Sequence, residues 1–116
     1  MKIKGFGGVF WRTADIDALK KWYKEVLGLS MDDWSGTIFT QDQESEIIFS
    51  LFKKDNDYFP KEQAVMLNFQ VEQIESWIEH FKKLDIPIVK EPEKSEYGAF
   101  VWISDPDGRW IELWEK

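Results

Sequence analysis

The chain is 116 residues long with one histidine and no cysteine, which excludes His/Cys zinc sites, iron–sulfur clusters and thiol nucleophiles within a single chain. Fifteen basic against 22 acidic side chains leave a net charge of −7, so the basic footprint that nucleic acid requires is missing. A content of 43% hydrophobic and 16% aromatic residues describes one folded domain with aromatic surface to bury or to offer to a ligand.

The run from Phe6 to Trp11 is strand-like, but too short and glycine-rich for a signal-peptide core. No stretch approaches the roughly 18 apolar residues of a spanning helix. A cytoplasmic protein without membrane contact is therefore expected. Ile16, Leu19, Trp22, Tyr23 and Val26 then share one helical face, with Asp15 placed to cap the start and Gly28 to end it. Thr37 to Thr40 and Ile47 to Phe52 are read as strands, with the acidic run Gln41 to Glu46 as the loop between them. The charged segment around Tyr58-Phe59-Pro60 reads as a linker.

Met66 to Val71 alternates as a strand, with Leu67, Phe69 and Val71 on one face and Met66, Asn68 and Gln70 on the other. A second helix carries Ile74, Trp77, Ile78, Phe81 and Leu84 on one face and ends before Asp85 and Pro87. Phe100 to Ile103 and Trp110 to Trp114 are strands, separated by the turn Asp105-Pro106-Asp107-Gly108.

The two halves superpose by spacing. Gly8 to Tyr23 maps onto Met66 to Phe81, and Gly36 to Lys54 maps onto Gly98 to Lys116, with the extra residues of the second half assigned to a loop Glu91 to Glu96. This predicts a duplication: module one at about 1–54, a linker at about 55–63 and module two at about 64–116.

Asp15-Ile16-Asp17 followed by Trp22-Tyr23 and Val26-Leu27-Gly28-Leu29, with Asp105-Pro106-Asp107-Gly108 and Ile111-Glu112-Leu113 near the end, resembles the vicinal oxygen chelate superfamily of glyoxalase I, bleomycin-resistance proteins and extradiol dioxygenases. The resemblance implies an α+β fold of two tandem βαβββ modules forming a curved, partly open mixed β-barrel with helices outside. It also implies a homodimer. Metal enzymes of that superfamily carry ligands on the first and last strands of each module. The matching positions here are Gly8, Ser50, Met66 and Glu112, and a lone carboxylate does not make a hard-cation site. No metal and no cofactor are expected.

Strand parity assigns a ligand-binding lining to the concave face: Phe10, Arg12, Ser50, Phe52, Met66, Asn68, Trp102, Trp110, Glu112 and Trp114. Glu112 is the candidate catalytic group, with Arg12 or another donor as its partner. His80 lies on a helix and is read as a boundary residue. The expected function is metal-independent binding of an unidentified small molecule, planar or apolar, in the aromatic groove. The alternatives are a lyase or isomerase that uses Glu112 as general base or as part of an atypical metal site, and an interaction domain whose aromatics meet a partner.

Overall fold

The computed structural model describes residues 1–2, 8–40 and 46–116. Ile3 to Gly7, which includes the beginning of the expected Phe6–Trp11 strand, and Gln41 to Ser45 of the acidic loop lie outside the described residues. The elements are α1 (Ile16–Leu27), β1 (Leu67–Gln70), α2 (Ile74–Lys83), β2 (Ile88–Ser95), β3 (Gly98–Ser104) and β4 (Trp110–Glu115).

Both helices form where the apolar spacing placed them. The Asp15 carboxylate accepts from Ala18 N at 3.1 Å, which satisfies one of the free donors of the first turn of α1. At the other end Gly28 adopts φ 69° and its N–H donates to Lys24 O, a left-handed cap that residues with a Cβ rarely adopt. α2 has no cap from its own segment, because Gln73 sits at φ 58° and its side chain makes no capping bond. The Glu115 carboxylate of β4 supplies it, accepting from Gln73 N at 2.8 Å and Ile74 N at 3.2 Å. A negative charge at the positive end of the helix adds to that bond.

The strands form one sheet of order β1-β4-β3-β2, in which β1 runs parallel to β4 and the other neighbours are antiparallel. Alternation gives the sheet two different faces. Val101, Ile103, Ile111 and Leu113 are buried with Leu19, Tyr23, Val26, Ile74 and Phe81 beneath the helices. Full burial of side chains this size contributes roughly 1.5–3 kcal/mol each. Phe100, Trp102, Glu112 and Trp114 occupy the opposite face. The fold is thus α+β with an open mixed sheet and helices on one side.

Two expectations are corrected. Glu91 to Ser95 is not loop but the end of β2, a charged edge strand whose pairing with β3 is irregular between Ile88 and Glu93. An edge position explains how Pro92 and four charged residues fit a ladder, since one side faces no partner among the described residues. In the first half, Gly8 to Trp11, Thr37 to Thr40 and Ile47 to Phe52 carry no ladder among the described residues. Ile38, Phe39, Ile48, Phe49 and Leu51 remain exposed, because apolar alternation makes a strand only where a neighbour completes its hydrogen bonds.

The turn after β3 ties α1 to the sheet. Asp105 is buried and its Oδ1 accepts from the backbone N–H of Asp107 and of Arg109, both at 2.9 Å. Its Oδ2 accepts from the Tyr23 hydroxyl of α1 at 3.0 Å. Burial, then the adjacent Asp105 charge, pushes the Tyr23 phenol far above its usual range.

Candidate functional site

On the face away from the helices Glu112 is buried, and three neutral donors hold it. Tyr58 donates its hydroxyl to Oε2 at 2.6 Å, Trp102 donates Nε1 to the same oxygen at 2.7 Å, and Asn68 donates Nδ2 to Oε1 at 2.6 Å. Three of a carboxylate's roughly four acceptor positions are therefore filled by short, charge-assisted bonds. β1 and β4 bring Asn68 opposite Glu112, and β3 brings Trp102 opposite it from the other side. Tyr58 arrives from the linker. Burial, with the bond to Glu112 and its charge, drives the Tyr58 phenol well above its ordinary value.

Lys90 of β2 lies over the same cluster, its Nζ 4.1 Å from the Tyr58 ring centre and 4.4 Å from that of Trp102. Phe52 packs against Tyr58 and Phe59, and Phe100 stacks between Trp102 and Trp114. Trp114 Nε1 donates to Tyr97 O at 2.8 Å. The centre of this face is thus covered by packed rings.

Open space lies instead at the end of the sheet, in a cavity of about 480 Å³. Val9, Phe10, Trp11, Val65, Leu67 and Trp110 form its apolar walls, and Glu62, Gln63, Asp107 and Arg109 supply polar groups. Its volume lies within the range of small-molecule sites. The Gln63 amide fixes one wall by pairing with both backbone groups of Trp110, donating to its O at 2.9 Å and accepting from its N at 2.8 Å. Arg109 fixes another. It donates to Asp107 at 3.0 Å and to Arg12 O at 2.7 Å, and its guanidinium lies 5.4 Å from the Trp11 ring centre. The hydroxyl of Thr13, then Arg109, holds the Asp107 carboxyl below its usual value.

The expected lining is divided between these places. Asn68, Trp102, Glu112 and Trp114 gather at the buried carboxylate, with Phe52 beside Tyr58, whereas Phe10 and Trp110 line the cavity. Ser50 is exposed and Met66 half-buried. Arg12, expected beside Glu112, meets Arg109 through its carbonyl. Glu112 needs no guanidinium, because neutral donors from β1, β3 and the linker already satisfy it. His80 bonds through Nε2 with Val26 O at 2.9 Å, joining the helices.

Tyr58, Lys90 and Gln63 were not expected at either place. Tyr58 had one signal, an aromatic pair inside a charged linker; Lys90 and Gln63 had none in the local pattern.

The positions corresponding to a superfamily metal centre do not fit a hard divalent cation. They offer a glycine, an exposed serine hydroxyl, a thioether and a carboxylate whose oxygens already accept from protein donors. Among the described residues no three His, Cys, Asp or Glu side chains converge, and no helix is long and apolar enough to cross a membrane.

A family model described as the Glyoxalase/Bleomycin resistance protein/Dioxygenase superfamily matches residues 5–113. Among solved structures, an integron cassette protein from V. cholerae is similar at TM-score 0.64 and 18% identity, covering 99% of this chain and 97% of that one. A lactoylglutathione lyase from Agrobacterium tumefaciens is similar at TM-score 0.54 and 22% identity, covering 87% and 85%. An antibiotic binding protein from a Streptomyces species reaches TM-score 0.56 at 18% identity, covering 88% and 87%.

Proposed function

Because the chain belongs to the glyoxalase/bleomycin resistance protein/dioxygenase superfamily, we propose that it is a metal-independent small-molecule binding protein whose ligand enters the cavity beside Phe10, Trp11 and Trp110. The observation that carries this reading is the contrast between the two places. The cavity has volume, aromatic walls and a few polar groups. The carboxylate that a lyase or isomerase of this superfamily would use as base has three of its roughly four acceptor positions engaged and rings packed over it. The Streptomyces antibiotic binding protein, similar in fold, fits the same reading.

The proposal includes two modules, at about 1–54 and 64–116, joined by the linker that carries Tyr58. It also includes a homodimer as the working form, supported by the exposed apolar side chains Phe49 and Leu51. Light scattering checks the dimer.

Calorimetric titration of a metabolite and drug panel, with and without a chelator, tests the binding reading. Phe10 is 90% exposed, so Phe10→Ala leaves the fold intact and weakens the bound compound about fivefold through the lost ring contact. Binding that is abolished by the chelator and indifferent to Phe10→Ala refutes the proposal.

A further inference from the structure

The rim of the cavity is electrically lopsided. Glu62 is exposed and has no ion-pair partner among the described residues. Asp107 stands on the same rim. Among the described lining residues the one cation, Arg109, already divides itself between Asp105 at 3.4 Å and Asp107 at 3.0 Å. Its charge is spent on two carboxylates, and Glu62 is left over.

The walls favour the same sign of ligand. Aromatic faces carry negative potential, and the Trp11 face already holds the Arg109 guanidinium. The Phe10 ring is exposed and without a cation among the described aromatic contacts. A net charge of −7 raises the local concentration of cations and repels anions.

Resting on the binding role proposed above, we infer that the cavity selects flat aromatic ligands bearing a positive charge, of the arylalkylammonium class. The ring lies against Phe10 and Trp110, and the ammonium points to the rim at Glu62 and Asp107. Gln63 positions Trp110 for this contact, while Glu62 sets the preference for charge.

Three probes of matched ring size separate the terms: naphthylmethylammonium, naphthylmethanol and naphthoate, each titrated by calorimetry. The ammonium binds roughly tenfold tighter than the alcohol, and naphthoate binds weakest. Glu62→Gln, a change at an exposed residue, removes about threefold of the ammonium's advantage and leaves the alcohol unchanged, and added salt acts in the same direction. If alcohol and ammonium bind alike, or naphthoate binds best, the charge preference is refuted while the binding role stands. If none of the three binds at millimolar concentration, the inference falls, and the binding role is decided by the metabolite and drug panel. A preference for the ammonium that survives Glu62→Gln and high salt also overturns the inference, because its source would then lie elsewhere.

Discussion

Replacing Glu112 by Gln changes one atom of the buried cluster, and its cost follows from who donates to whom. Both oxygens of the carboxylate accept. An amide keeps one acceptor, which serves Tyr58 and Trp102, and turns its NH2 toward the Asn68 NH2. That donor-to-donor clash is relieved by a flip of the Asn68 amide, an exposed residue whose oxygen then accepts. What remains lost is charge assistance, so each bond falls from roughly 1.5–3 kcal/mol to about 1 kcal/mol and the expected cost of Glu112→Gln is about 2 kcal/mol. Asn68→Asp alone sets two carboxylates side by side and is destabilising. Combined with Glu112→Gln it returns an anion opposite an NH2 and recovers about half of the loss. Urea unfolding followed by tryptophan fluorescence measures all four proteins, and the coupling appears as a non-additive midpoint at constant slope. A cost for Glu112→Gln below about 0.5 kcal/mol, or Asn68→Asp equally harmful in both backgrounds, would refute the assigned hydrogen bonding.

Three further outcomes are expected. The depressed Asp107 carboxyl favours the folded state above about pH 4, the unfolded value, and that contribution is lost as the pH falls through the folded one; in Thr13→Ala the decline of urea midpoints on the acid side becomes shallower. Tyr23 and Tyr58 have raised phenols, so stability is full below about pH 10 and falls as the pH climbs above it, and their tyrosinate absorbance emerges together with unfolding. Gly98 has φ 124° and a Cβ there would press into the Glu115 carbonyl, so Gly98→Ala destabilises by roughly 2–4 kcal/mol and loosens the β3–β4 end, seen as faster amide exchange of Ala99 and Glu115.

Local pattern carried the helices, β3, β4 and the turn between them, because each depends on neighbours a few residues away: Asp15 and Ala18, Gly28 and Lys24, Asp105 and Arg109. The parity of Trp-Ile-Glu-Leu-Trp correctly put Ile111 and Leu113 under the helices and Glu112 on the far side. Parity also put Asn68 and Trp102 on the face of Glu112, but not their bonds to it, and Tyr58 was not legible as a partner at all, since it stands 54 residues away and no periodicity encodes that meeting. β2 was hidden for a different reason. Its Lys-Glu-Pro-Glu-Lys run is what an edge strand tolerates and also what a loop uses, so composition favours the wrong answer. Ser50 and Phe52 share a parity on paper, yet parity directs a side chain only where a ladder holds the backbone.

The position of β4 has a consequence for how the chain comes to fold during synthesis. It follows every other element in order, yet it lies between β1 and β3 and carries the Glu115 that caps α2. While the ribosome still holds the segment after Ser104, β1 lacks the strand it pairs with and α2 lacks its cap. The β2–β3 hairpin can close early. Docking of β1 must wait for release of β4 across the 44-residue separation of Asn68 and Glu112, a non-local step of the kind that slows folding. Until then β3 keeps an unpaired edge where β4 belongs, which makes the interval before β4 emerges a time of exposure to aggregation.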